Sequence, residues 1–385
     1  MANRTAPSGK KKVRRFYDYS LLFTIVFLTV FGLIMIYSSS AYEAQMDGDP
    51  PTYYMVKQAQ AALLGFAAMI FISKVDYHFW MKFTKLAYVM SYVLMFLTMF
   101  TPLGKEVNGK KRWLKIGPFS FQPTELVKIA LIMMLALAIT KMGKQINYTK
   151  GLLRVALITA PIALMVMENN LSSGIIVFGI GFVMAFISTK IRWPFYGSVI
   201  VGALGLAFAP QLVKLLELMP FIKGYQMQRI YVWLDPSAHK LTGGFQTLQG
   251  LYAIGSGGLF GKGLGQSIQK LGFLPEAQND MIFSIICEEL GFVGAVAVIF
   301  IFMFMIYRFM VIASNAPDLV GALLVVGVMA HIAIQVILNV AVVTNAIPNT
   351  GITLPFISYG GTSVSFLMAE MGLVLGVSNQ IRLER

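Results

Sequence analysis

Apolar runs of about 18–25 residues recur along this chain, each long enough to cross the ~30 Å hydrocarbon core of a bilayer. Lipid offers no partners to backbone N–H and C=O groups, so a spanning run must satisfy them internally as a helix. The runs fall at about 18–39, 56–74, 84–102, 123–142, 151–167, 173–189, 194–217, 281–312, 319–344 and 360–378. The expected fold is therefore all-α: a polytopic integral membrane protein of about ten transmembrane helices in a single domain over residues 17–380, with a large exterior loop between spans 7 and 8. The 281–312 run is too long for one upright span and is expected to tilt or extend beyond the membrane. Only 12% of the 385 residues are charged, about half the fraction of a soluble domain. The single cysteine, Cys287, excludes a disulfide framework. No cleavable signal peptide is expected, because the first run is too long for one and no small-residue cleavage site follows it.

Charge orients the chain. Residues 1–16 form a tail carrying Arg4, Lys10, Lys11, Lys12, Arg14 and Arg15, and its Pro, Ser and Gly argue for disorder. With the tail in the cytoplasm and an even number of spans, residues 381–385 are cytoplasmic too. The inside loops then carry Lys74, Lys82, Lys85, Lys141, Lys144, Lys150, Lys190, Arg192 and Arg308, while the outside loop 40–55 carries Glu43, Asp47 and Asp49 and no cation. Cytoplasmic anchoring to membrane lipids explains much of the net charge of +14, and nucleic acid is not an expected partner. Two loops expected outside, at about 103–122 and 218–280, are nevertheless rich in Lys and Arg, against the usual bias. Cations kept there call for an anionic ligand. The larger loop ends in Asp280, so the pattern points to chemistry on a lipid-linked phosphate.

The first of these loops holds Lys110, Lys111 and Arg112, with Trp113 as an interface anchor. Pro123 suits a first helical turn, and Glu125 and Lys128 follow on one helix face near the outer interface. An ionisable pair at that depth is either functional or a lock between helices. For Lys110, Lys111 and Arg112 the plainer alternative is contact with anionic headgroups. The second loop holds Lys223, Gln228, Arg229 and a glycine-dense run from Gly255 to Gly265 around Lys262. Such glycines can ring a phosphate with backbone N–H groups, or only permit tight packing; glycine count alone favours packing. The run is not a Walker loop, since no Gly-Lys-Ser/Thr opens a helix. Asp280 reads as a catalytic carboxylate or as a plain helix N-cap. At least one of Glu288 and Glu289 is expected to be buried and hydrogen-bonded. The last exterior stretch, about 345–360, breaks the helix with Pro348, Pro355 and several glycines, as backbone lining a cavity does, and contains the candidate Ser358.

Three strings carry a resemblance: Phe273-Leu-Pro-Glu-Ala-Gln-Asn-Asp280-Met-Ile-Phe, Leu354-Pro-Phe-Ile-Ser-Tyr-Gly-Gly-Thr-Ser363, and Lys111-Arg-Trp-Leu with Phe121-Gln-Pro-Thr-Glu-Leu-Val-Lys128. They resemble the SEDS family (shape, elongation, division and sporulation; FtsW, RodA and SpoVE) over about Tyr17 to Asn379. Tyr37-Ser-Ser-Ser-Ala-Tyr42 and Asn108-Gly109 look nearer to the division branch, FtsW or SpoVE, than to RodA. The resemblance implies a polymerase that joins lipid II disaccharides into glycan strands at the outer membrane face, expected at the septum, with a class B penicillin-binding protein and other division proteins as partners. It implies that Asp280 is the essential carboxylate, that Glu125 and Lys128 are the charged pair of the fourth span, and that Arg112 is the loop arginine. Lys111, Arg229, Lys262 and Ser358 join them as substrate-binding candidates. One departure stands out: where many members carry Pro-Asp-Leu, this chain has Asn169-Asn170-Leu171, so no carboxylate role attaches to Asn170.

The implied reaction is one inverting displacement, from an α-linked diphosphate to a β-linked glycoside. It needs a base for the attacking sugar hydroxyl and cations for a leaving group that requires no protonation. That means one carboxylate amid cations rather than a glycosidase pair. Asp280 could instead hold a divalent metal, Mg or Mn, on the diphosphate, and the residues leave both roles open. Two other classes are weighed against the enzyme. A lipid II flippase would need charges deep in the spans and on both faces. A division scaffold would tolerate loss of Asp280.

Overall fold

The computed structural model describes residues 14–107, 110–117, 119–216 and 224–383. The basic tail before Arg14, Asn108–Gly109 and Lys223 lie outside the described residues. A buried carboxylate starts the first helix. Asp18, 1% exposed, accepts from the Leu21 N–H at 2.9 Å and pairs with Arg308 at 2.7 Å. From there α1 runs over Tyr19–Met46, followed by α2 (Tyr53–Lys74), the short α3 (Tyr77–Met81) and α4 (Thr84–Phe100). Next come α5 (Pro123–Met142, Pro in its first turn), α6 (Thr149–Asn169), α7 (Leu171–Ser188), α8 (Trp193–Ala207) and α9 (Ala209–Leu216). Two helices lie in the large loop, α10 (Gly224–Leu234) and α11 (Phe245–Gly257). The chain closes with α12 (Ile282–Ser314), α13 (Leu319–Val343) and α14 (Thr362–Ser378).

Seven of these helical segments are long and apolar enough to cross a membrane, and three shorter apolar helices, α4, α8 and α14, fall at the other expected spans. The run expected over 194–217 is interrupted at Phe208, between α8 and α9. Outward apolar side chains such as Leu63, Leu64 and Phe71 suit lipid. The core is made by α13, whose buried face packs on α5, α7, α12 and α14. Strand β1 (Arg14–Arg15) pairs antiparallel with β5 (Arg382–Leu383), so the two described ends meet at one end of the bundle, as an even number of crossings requires.

Two features depart from the all-α expectation. The segment 104–121 is a three-stranded antiparallel sheet, β2 (Gly104–Val107), β3 (Lys110–Ile116) and β4 (Phe119–Phe121), in the order β2-β3-β4. Leu114 is buried beneath it, whereas Lys110, Lys111, Arg112 and Lys115 of β3 stay partly or fully exposed, as on a half-solvated sheet. Secondly, α12 is not continuous: Gly291 sits at φ 68°, ψ −169°. The glycine run packs into this break. Phe292 and Val293 donate N–H bonds to Gly258 and Leu259, and the N–H groups of Lys262 and Gly263 bond Glu288 and Glu289 carbonyls. A Cβ on Gly261 would lie 2.2 Å from the Glu289 carbonyl oxygen, so the approach requires glycine there.

Candidate active site

Asp280 closes the large loop one residue before the cap of α12. It does not cap the helix: Met281 holds that position, and no side chain bonds there. The N-cap alternative is thereby corrected. The Asp280 side chain is instead held inward. The residue is 8% exposed, and no donor among the described residues reaches its Oδ1. Burial pushes its carboxyl up to about 7, the nearby Glu276 carboxylate adds to the rise, and Arg229 opposes it.

What fixes Asp280 is its backbone. Three consecutive carbonyls are each held by a donor from elsewhere in the fold. The Tyr359 N–H donates to Gln278 O at 2.9 Å, Ser358 Oγ to Asn279 O at 2.7 Å, and Asn339 Nδ2 to Asp280 O at 2.9 Å. Asn339 reaches out from α13, and its Nδ2 also donates to Ile352 O at 2.7 Å. Ser358 accepts from the Leu354 N–H at 2.8 Å, and Phe356 between them adopts φ 64°, rare for a bulky side chain. Such strain persists only where surrounding contacts impose it. Gly351 lines the carboxylate: a Cβ there would sit 3.7 Å from Asp280 Oδ2.

Of the sequence candidates, the structure gathers Arg229 and Ser358 around Asp280. Arg229, on α10, donates to Asn349 O at 3.1 Å. Ser358 is 3% exposed, and its hydroxyl is engaged with Leu354 and Asn279, so it holds the Asp280 loop. Lys262 is paired within the protein. Its Nζ lies 2.6 Å from Glu288 Oε1, and its backbone N–H is used on α12, so the glycine run packs instead of ringing a phosphate. Glu288 and Glu289 are both fully buried, and Glu289 meets Lys270 at 2.8 Å and Ser38 at 2.7 Å.

Glu125 and Lys128 form their pair at 2.9 Å, with the lysine buried. Lys111 Nζ is 3.4 Å from Thr101 O, and Arg112 Nε donates to Asn169 O at 3.2 Å. The sheet thus docks on the α6–α7 turn, where Asn169 answers by donating to Lys111 O at 3.0 Å and Asn170 caps α7. One turn on, Ser172 donates to Thr350 O, which joins this region to the wall of the Asp280 site. Sequence reasoning missed Asn339 and Gln58. The signal for Asn339 was there: His331, Gln335 and Asn339 recur every four residues in an apolar run, a polar stripe on one helix face.

Comparison with known proteins agrees with this layout. A family model described as "Cell cycle protein", covering FtsW, RodA and SpoVE, matches residues 19–383. Stage V sporulation protein E of Bacillus subtilis (strain 168) is 38% identical over 364 residues, 94% of this chain and 96% of that protein. A protein named probable peptidoglycan glycosyltransferase FtsW from Geobacter sp. (strain M18) is 34% identical over 369 residues, 95% of this chain and 98% of that one. A solved structure described as "Structural coordination of polymerization and crosslinking by a peptidoglycan synthase complex" superposes with a TM-score of 0.74 at 26% identity, covering 95% of this chain and 98% of that chain. The rod shape determining protein RodA of Thermus thermophilus gives 0.69 at 25% identity, covering 96% and 98%. The match spans sheet, broken helix and Asp280 loop alike, and the chain belongs to the FtsW/RodA/SpoVE family of cell cycle proteins.

Proposed function

We propose that the protein is a peptidoglycan glycosyltransferase of the cytoplasmic membrane, which polymerises lipid II with Asp280 as general base. The observation that carries the reading is the Asp280 carboxylate: buried, with an oxygen that no donor among the described residues reaches, and with its pKa pushed up to about 7 by that burial. A base needs that combination, since it must be free to take a proton and have a pKa near working pH. Gln278 Oε1, Asn279 Oδ1 and Asn339 Oδ1 are further buried acceptors without donors on neighbouring residues, and sugar hydroxyls would supply them. The names of the curated relatives support the same chemistry.

In the reaction, the 4-hydroxyl of one lipid II approaches the anomeric carbon of the chain held on polyprenyl diphosphate. The new C–O bond forms as the bond from that carbon to the diphosphate oxygen breaks. The hydroxyl proton passes to Asp280, and the electron pair leaves with the diphosphate. Arg229, whose charge already acts on Asp280, would balance the departing anion. Among the described residues no group of three or more His, Cys, Asp or Glu converges, so a divalent cation such as Mg or Mn, if held here, would have the Asp280 carboxylate as its protein ligand. When bound, it would supply charge neutralisation of the diphosphate.

The Asp280 end is assigned to the outer face, where lipid II disaccharides are joined, and the meeting termini to the cytoplasm, with septal synthesis as the setting. A class B penicillin-binding protein is the assigned partner. The complex of polymerisation and crosslinking that this fold matches supports it. The test is lipid II polymerisation by purified protein with its transpeptidase, wild type against Asp280→Asn. Strands from the wild type and none from the folded mutant are expected. Undiminished strands from the mutant would remove Asp280 from catalysis. If neither protein makes strands while the partner is bound, the flippase or scaffold reading takes over.

A further inference from the structure

The carbonyl holders of the Asp280 loop are themselves held from a second helix. Gln58 sits on α2, 1% exposed. Its Nε2 donates to Ser358 O at 3.2 Å, and its Oε1 accepts the N–H groups of Gly360 at 3.2 Å and Gly361 at 3.1 Å. Gly361 occupies the cap position of α14, where no side chain of that helix supplies an acceptor. A helix start without a local cap leaves orphan N–H donors. Gln58 therefore caps α14 from across the bundle while gripping the turn that ends in Tyr359. On the other side of that turn, the Ser358 hydroxyl and the Tyr359 N–H hold Asn279 and Gln278. An unbroken chain of hydrogen bonds runs from Gln58 through residues 358–361 to the loop that presents Asp280.

We infer that Gln58 is a positioning residue for the transfer reaction: it sets the orientation of Asp280 through the 358–361 turn without meeting substrate. This rests on the reading of Asp280 as the base. The physical reason is that Asp280 Oδ1 meets no hydrogen-bond donor among the described residues, so the orientation of the carboxylate follows chiefly from its backbone. The backbone is in turn fixed by the turn that Gln58 clamps. A buried glutamine side chain on a spanning helix would otherwise be costly to keep. All three of its bonds go to this one turn.

The experiment compares wild type, Gln58→Met and Asp280→Asn in lipid II polymerisation with the transpeptidase present. Gln58→Met keeps the volume and removes all three bonds. The expected result is that kcat falls by about tenfold or more while KM for lipid II holds, because a displacement of about 1 Å at a reacting group can cost up to ~100-fold. The acid limb of the pH–rate profile also moves, since Asp280 shifts relative to Arg229 and Glu276, the charged groups that act on it. Unchanged kcat in folded Gln58→Met would overturn the inference. So would a loss of activity that tracks only the fraction of folded protein, with the acid limb unmoved. If Asp280→Asn itself polymerises lipid II, the base reading fails first. If Asp280→Asn is inactive and Gln58→Met is normal, only the positioning role fails.

Discussion

Lys262 and Glu288 meet at 2.6 Å across the break in α12, the lysine partly exposed and the glutamate fully buried. Ser256, Ser267 and the N–H groups of Ile268 and Gln269 surround the same carboxylate, and the Lys270–Glu289 pair lies beside it. These two pairs tie the large loop to the helix that follows Asp280.

The asymmetry of burial gives a first prediction. Lys262→Met leaves a buried carboxylate without its cation, whereas Glu288→Gln leaves a lysine that can reach water. Breaking a buried pair costs about 3–5 kcal/mol when the remaining charge is trapped, so Lys262→Met should lower thermal stability in detergent more than Glu288→Gln does. Should Lys262→Met instead stay fully stable and lose affinity for lipid II, the lysine would be a substrate ligand after all.

The pH dependence of activity follows from Asp280. A base must be ionised, and burial holds this carboxyl at about 7, so kcat/KM should fall as pH drops through that value and level off above it. Arg229 lowers the value and Glu276 raises it. Arg229→Gln should therefore displace the acid limb to higher pH, and Glu276→Gln to lower pH. Acid limbs that coincide in all three proteins would contradict this.

Gly32 on α1 lies against the strained turn. A Cβ there would come 2.5 Å from Phe356 O and 2.8 Å from Ile357 Cα, both backbone atoms that cannot rotate away. Gly32→Ala must displace α1 or the 352–358 segment, at about 1–3 kcal/mol of overpacking. The expected outcome is a lower melting temperature and a loss of polymerisation larger than the loss of folded protein. A fully active Gly32→Ala enzyme would show that the turn can yield without moving Asp280.

At the opposite end, His78 bridges Asp76 at 2.8 Å and Asp318 at 2.7 Å, linking α3 to the start of α13. Partial burial lowers its pKa, but the two carboxylates outweigh that and the net shift is upward. Both aspartates are held below their usual range and stay ionised. A raised folded-state value means the contribution is full below about 6.5, the unfolded value, and is lost as pH rises through the folded value. The stability gap between wild type and His78→Gln, measured by melting in detergent, should thus be widest at low pH and close in alkali.

How much of this could be read beforehand depends on how local each cause is. Hydropathy and length are local, so the positions of the apolar helices were legible, and so was the burial of at least one of Glu288 and Glu289, since polar groups inside an apolar run must find partners; both are buried. Asp280 stood out from its setting at the end of a cationic loop, and its side chain is not the cap it resembled. The small sheet was missed because its strands are short and cationic, though Asn108-Gly109 is a hairpin dipeptide that could have announced it.

The sequence by itself determined an α-helical membrane chain with cationic loops ending in one carboxylate. Only the tertiary structure decided what those residues do. Ser358 grips Asn279 across 79 positions, Gln58 reaches Ser358 across 300, and Lys262 turns to Glu288 instead of outward. Such bonds are set by which helices lie side by side and by a helix break at Gly291 that lets the glycine run pack in. Nothing within a few residues of Ser358 or Lys262 encodes those neighbours, because a hydrogen bond depends on a few tenths of an ångström that only the assembled bundle provides.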